Sequence, residues 1–162
     1  MPTKDYVCCF TGHRNIEQAE KERLVAVLDE VIEKLCASGV TVFRAGGAIG
    51  FDTLAALKVI EKKQKYPSIK LHLFLPCKNQ TDKWNGYNME AYEFIMSNAD
   101  DITYTSEQYT RGCMLHRDRC MVNGSSFCVA FCEKAEGGTA YTLNYAKTHG
   151  VRAINIATML PL

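Results

Sequence analysis

The chain has 162 residues, 47% of them hydrophobic and 23% charged, a size and composition that exclude disordered and fibrous classes and leave room for one domain over residues 1–162. Nineteen Lys and Arg against eighteen Asp and Glu give a formal net charge of +1, so a surface that binds polyanions as a whole is not expected and any anion site must be local. The longest apolar runs, such as Cys128 to Cys132, fall far short of the ~20 residues that span a bilayer, and no apolar signal segment follows Met1. The expectation is a soluble, cytoplasmic protein with no membrane partner.

In chain order, Tyr6 to Phe10 is a short β-prone run ending at Thr11-Gly12. Asn15, with Gln18 three residues on, has the pattern of a capping box. Leu24, Leu28, Val31 and Leu35 follow on one helical stripe, which Ser38-Gly39 closes. Thr41 to Arg44 reads as a second strand and Asp52 to Gln64 as a second helix. Lys70 to Leu75 reads as a third strand, stopped by Pro76. After a polar stretch, Cys77 to Tyr87, the pattern gives a helix over Met89 to Ser97 and a short strand at Ile102 to Tyr104. A helix over Cys113 to Val122 and a strand at Phe127 to Cys132 come next. A last helix runs from Gly137-Gly138 to about His149, and Arg152 to Ile156 is the final strand. Alternating strands and helices require parallel strands with crossover helices, hence a three-layer α/β/α Rossmann-like sandwich with a mostly parallel sheet of five or more strands.

Eight cysteines are many for this length. Without a signal segment a disulfide framework is not expected, and cysteines inside apolar runs, such as Cys8, Cys9, Cys128 and Cys132, read as small buried hydrophobes. Cys113, His116 and Cys120 could ligate zinc, but no CxxC pair supports them, and no metal or cofactor is expected.

Ligands of open parallel sheets sit beyond the carboxyl ends of the strands. Three glycine turns fall there: Thr11-Gly12-His13-Arg14, then Gly46-Gly47-Ala48-Ile49-Gly50-Phe51-Asp52, and Glu136-Gly137-Gly138-Thr139. Each makes a tight strand-to-helix turn. Each can also bring main-chain N–H groups and a helix N-terminus to a phosphate or carboxylate. Neither the dinucleotide G-x-G-x-x-G nor the P-loop pattern is present. Arg14 is either a phosphate fork or a solvated charge. Asp52 caps its helix or binds a ribose hydroxyl. Trp84 stacks on a base or anchors its loop. Of Arg117 and Arg119, two apart on one helix, at most one faces the crevice. Arg14→Ala, Arg117→Ala and Gly47→Val are each expected to stay folded and to lose affinity, with Arg152→Ala as control.

These turns, in this order, resemble the SLOG superfamily of Rossmann-like proteins, and within it the YpsA/YoqJ-like branch. The Leu75-Pro76 to Trp84 stretch is also similar, and the likeness covers nearly the whole chain. The Gly46 to Ala56 motif is similar to the nucleotide-site loop of the DNA-processing protein DprA. A second relative is the LOG group, which removes the base from nucleoside monophosphates. Arg117 and Met121 match that group's helix motif with Asp118 in place of Lys. Gly137 and Gly138 match its loop, but the catalytic Glu position falls on Leu143 or Asn144. The resemblance implies a nucleotide or nucleotide-derived ligand of the ADP-ribose or NAD type, bound by a sensing or accessory module. Its ligand-binding residues would be Thr11, Gly12, His13, Arg14, Gly46, Gly47, Ala48, Gly50, Asp52, Trp84, Arg117, Gly137, Gly138 and Thr139. Two alternatives are a LOG-like phosphoribohydrolase, with Asp52 or Glu136 replacing the missing Glu, and a DprA-like DNA accessory. The balanced, scattered charge argues against nucleic acid. The LOG likeness carries a weak expectation of a homodimer.

Overall fold

The computed structural model describes residues 6–160. The reading of the N-terminal residues 1–5 lies outside them. Six strands form one all-parallel sheet in the order β4-β3-β2-β1-β5-β6: β1 (Tyr6–Gly12), β2 (Val40–Ala45), β3 (Lys70–Leu75), β4 (Asp101–Tyr104), β5 (Phe127–Phe131) and β6 (Arg152–Asn155). The helices between them are α1 (Gln18–Ala37), α2 (Phe51–Lys62), α3 (Gly86–Asn98), α4 (Cys113–Val122) and α5 (Gly138–Thr148), followed by a 3₁₀ turn at Ile156–Met159. The chain winds outward from β1 to β4, then returns to lay β5 on the other side of β1. The space above β1 and β5 is therefore the topological switch point, where open α/β sheets hold their ligands.

The two-residue period of a strand sends alternate side chains to opposite faces. Cys8 and Phe10 of β1, with Val129 and Phe131 of β5, join Leu24, Leu28, Val31, Leu35 and Phe51 in the larger core beneath α1, α2 and α3. Cys9 and Cys128 face the other way, into a smaller core with Met121, Val122 and Ala146 under α4 and α5. All eight cysteines are free thiols; seven are buried and Cys120 is half-buried. Burial pushes the Cys8 thiol up, and the Cys9–Cys128 contact with burial pushes Cys128 up. They behave as the hydrophobes that their apolar flanks suggested.

The strands and helices fall within a few residues of the sequence reading, with three differences. Asn15 does not cap α1. The helix begins at Gln18 with Glu17 as N-cap and no side-chain cap bond. The preceding residues are drawn toward the second turn instead, where His13 O accepts from Phe51 N (3.1 Å). Asp52 is not a cap either, since α2 begins at Phe51 with Gly50 before it. The final strand stops at Asn155, whose side chain accepts from Ala157 N (3.1 Å) and opens the 3₁₀ turn that the periodicity had not shown.

Candidate functional site

Gly12 ends β1, Gly46 follows β2, and Gly137 follows β5. Because the strands are parallel, all three turns lie at one carboxyl edge, as expected. They do not share one reason for being glycine. A Cβ on Gly12 would lie 2.3 Å from the Phe51 ring, and one on Gly50 (φ 81°) would lie 2.2 Å from Arg14 O. One on Gly46 would meet Asp52 Oδ2 at 2.7 Å and Arg117 Cζ at 2.8 Å. Gly47 combines φ 72° with a Leu75 methyl 2.4 Å from its missing Cβ. These four glycines let the first two turns and the Asp52–Arg117 pair close on one another. Gly47→Val would therefore strain the backbone and the core, so the expectation that it stays folded does not hold. Gly138 differs. Its φ is ordinary, and a Cβ there would meet only Leu115 Cδ2 at 3.9 Å.

Between the turns lies a cavity of about 140 Å³ lined by Thr11, Gly12, Arg14, Ala48, Asp52, Met114, Leu115, Arg117, Asp118, Gly138 and Thr139. Eight of the sequence candidates meet in it: Thr11, Gly12, Arg14, Ala48, Asp52, Arg117, Gly138 and Thr139. A neighbouring cavity of about 530 Å³ holds Trp84 with Asn79, Gln80, Asp82, Lys83 and Tyr109, and shares Arg14 and Met114 with the first. Gly50 lines a third, also reached by Arg14. Gly46, Gly47 and Gly137 line none of these. His13 points elsewhere, its Nε2 accepting from Glu133 N (2.8 Å) and its ring edge-on to Phe131 (5.6 Å). Burial first, and Lys134 next, hold that imidazole below its ordinary pKa, which suits an accepting, neutral ring that ties the first turn to the loop after β5.

Arg117 is the arginine that turns inward; it is 4% exposed. Its Nε donates to Asp118 Oδ1 (2.7 Å), and its Nη1 donates to the Gly46 carbonyl and to Phe74 O (3.3 Å). Asp118 also accepts from Thr142 Oγ1 (3.1 Å). Arg119 lies outside, 3.4 Å from the Tyr141 hydroxyl. Arg117 is thus a tie between α4 and the ends of β2 and β3 as well as a cavity wall. Arg14 is exposed, and its side chain makes no hydrogen bond or ion pair with another described residue.

Asp52 is buried, and Oδ2 accepts from Ala48 N at 3.3 Å. Burial raises its pKa to about 7; Arg117 pulls it down, but Asp118 pushes it back up. The Arg117 cation is shared: Asp118 takes the guanidinium, and with both carboxylates ionised the trio carries one net negative charge. Because the folded pKa lies above the unfolded value of 3.8, this group's stabilising contribution is complete below that value. It is lost as pH rises toward and through about 7. Asp52→Asn, neutral throughout, is expected to flatten that decline. The check is the melting temperature of both proteins from pH 5 to pH 8.5: the wild type should lose ground to the variant as pH rises.

Sequence reasoning missed Asp118 as a cavity carboxylate, having read it only as a replaced Lys. It also missed Met114, Leu115, Asn79, Gln80 and Tyr109. Asp118 was reachable, since it adjoins Arg117; the others carry no local signal. Leu143, at the LOG catalytic position, is buried, while Asn144 and Glu136 are exposed. Neither Leu143, Asn144 nor Glu136 lines the cavity.

The chain matches the YspA SLOG family over residues 8–160. The chain belongs to that family. It is 30% identical over 139 residues to the SPbeta prophage-derived protein YoqJ of Bacillus subtilis (strain 168), covering 78% of this chain and 80% of YoqJ. It is 28% identical over 142 residues to a UPF0398 protein of Bacillus thuringiensis (strain Al Hakam), covering 86% and 73%. Among solved structures, the fold is shared with DNA processing protein A from Helicobacter pylori, at TM-score 0.63 and 16% identity, over 92% of this chain but 64% of that one. TM1055 shares it at TM-score 0.59 and 15% identity, over 91% and 72%. At these identities the solved structures establish the Rossmann-like fold. Among the described residues no helix is long and apolar enough to cross a membrane.

Proposed function

We propose that this family member binds a nucleotide or nucleotide-derived ligand of the ADP-ribose type at the carboxyl edge of the sheet, as a sensing or accessory module. The observation that carries this reading is the convergence of Arg14, whose side chain makes no hydrogen bond or ion pair with a described residue, with the Gly138-Thr139 start of α5 on one cavity at the switch point. A phosphate there would meet main-chain N–H groups, the positive end of an eleven-residue helix and one arginine fork. Gly138 is the glycine that the fold does not demand, which suits close approach by a ligand. The Asp52–Arg117–Asp118 trio is neutral while Asp52 is protonated, so it leaves Arg14 as the attracting charge.

Calorimetric titration with ADP-ribose and with AMP tests this. Arg14→Ala should weaken binding about ten- to a hundredfold, the cost of one charge-assisted bond of roughly 1.5–3 kcal/mol. Gly138→Val should stay folded and weaken binding as strongly. Arg152→Ala, at the other end of the sheet, should bind as the parent does. ADP-ribose keeps a constant diphosphate charge near neutrality, so its affinity should fall as pH rises through about 7, and should not do so in Asp52→Asn. Parental affinity in both Arg14→Ala and Gly138→Val would sink the reading. Chromatography of the same mixtures should show no released base, because Leu143 is buried where the LOG chemistry needs a carboxylate. Helicobacter pylori DNA processing protein A is described as binding single-stranded DNA. A single-stranded oligonucleotide is therefore the comparison probe, expected to bind weakly to a chain of net charge +1.

A further inference from the structure

The larger cavity, between residues 79–84 and 109–114, is built unlike the smaller one. Beside the charged Arg14, Asp82 and Lys83 its lining brings two amides, Asn79 and Gln80, and two aromatic rings, Trp84 and Tyr109. Tyr109 is 61% exposed beside it, its main-chain N–H fixed by Asn79 Oδ1 (3.0 Å). Trp84 is half-buried and packs edge-on against Tyr92 (5.4 Å). Gln80 is the unusual member. Both its amide nitrogen and its amide oxygen are buried, and neither has a hydrogen-bond partner. The Tyr92 hydroxyl lies beside this amide and is influenced by it, but hydrogen-bond geometry is not reached. The amide nitrogen sits 3.4 Å from where a Cβ on Gly47 would be, so a larger residue at 47 would crowd it. A buried amide with donors and acceptor both idle is costly, and swinging it into the cavity toward a complementary ligand removes that cost.

We propose that this cavity is the ring subsite of the nucleotide site: a planar heteroaromatic base with a hydrogen-bond donor and an acceptor side by side on one edge stacks on Tyr109 and is read by the Gln80 amide. The inference rests on the reading of the smaller cavity as the phosphate end. The two cavities share Arg14 and Met114, so one ligand can run from one to the other past these two side chains. An amide offers one donor and one acceptor in a fixed plane, the same pairing by which Gln reads adenine in the major groove of DNA. Stacking on an aromatic ring supplies affinity without regard to which base is present, and the amide supplies the choice.

The test compares AMP with ribose 5-phosphate, which has the phosphate end and no ring, by calorimetry on the wild type, Gln80→Ala and Tyr109→Ala. Tyr109 is exposed enough that its truncation leaves the fold intact, and a melting curve checks Gln80→Ala. The wild type should bind AMP at least about tenfold more tightly than ribose 5-phosphate. Each variant should lose most of that advantage while holding ribose 5-phosphate as well as the parent does. If ribose 5-phosphate binds and AMP gains nothing over it, or if both variants keep the full advantage, the ring subsite is overturned and the phosphate reading stands. If neither compound nor ADP-ribose binds, the nucleotide reading fails and takes the subsite with it.

Discussion

Arg117→Met is expected to lower the unfolding free energy by about 3–5 kcal/mol, the usual cost of removing one partner from a buried ion pair. The guanidinium neutralises Asp118 and satisfies the carbonyls of Gly46 and Phe74, all under a surface that leaves Arg117 4% exposed. Methionine fills a similar volume, so the loss would come from the unpaired acceptors rather than from a void. Arg117→Lys should recover little, because an ammonium lacks the fork that reaches Asp118 with Nε and two carbonyls with Nη1. Asp118→Asn in the Arg117→Met background should recover part, since the stranded negative charge is then gone. Urea denaturation of the three variants checks this, and an Arg117→Met protein as stable as the parent would contradict it. The pairing also changes the meaning of Arg117→Ala. Chosen from the sequence as a pure binding variant, it acts on the framework of the site first.

Gly12→Val should be strongly damaging, costing about 3 kcal/mol or more. An added Cβ would lie 2.3 to 2.5 Å from three carbons of Phe51. That ring has no room to withdraw. It is fully buried, stacked on Phe131 at 6.1 Å and edge-on to Phe10 at 6.3 Å. Relief would require moving the start of α2, and with it Gly50 against Arg14 O and the Phe51 N–His13 O bond. Gly12→Ala should show the same effect more mildly, and Phe51→Ala, which removes the two nearest ring carbons, should soften either substitution by making space. Denaturation midpoints of the single and double variants measure the coupling. If the effects of Gly12→Ala and Phe51→Ala simply add, the contact is not what fixes glycine at position 12.

Much of the fold was legible because its signals are local. The stripe of Leu24, Leu28, Val31 and Leu35, the run from Lys70 to Leu75 and the helix from Cys113 to Val122 are written in a few neighbouring residues, and each stands where its pattern put it. Alternation of such elements forces parallel pairing, and parallel pairing brings Gly12, Gly46 and Gly137 to one edge, so even the location of the candidate site followed from the sequence. What each residue does there did not. Asn15 has the composition of a cap, yet the first turn is drawn onto the second and α1 starts later. Four glycines that read as openings toward a ligand are the places where Phe51, Arg14 O, Leu75 and the Asp52–Arg117 pair close in.

Arg117 and Arg119 are equivalent by composition; the carbonyls of Gly46 and Phe74, 71 and 43 positions away in sequence, hold the first inside. Asp52 owes its raised pKa to burial first, and then to Asp118, which lies on another helix and pairs with the Arg117 guanidinium. Each of these outcomes depends on burial and on partners remote in sequence, and such contacts exist only once the strands have paired and the helices have packed. The sequence by itself therefore determined the architecture and the edge, while the tertiary structure decided which side chains face the cavity and which hold it together.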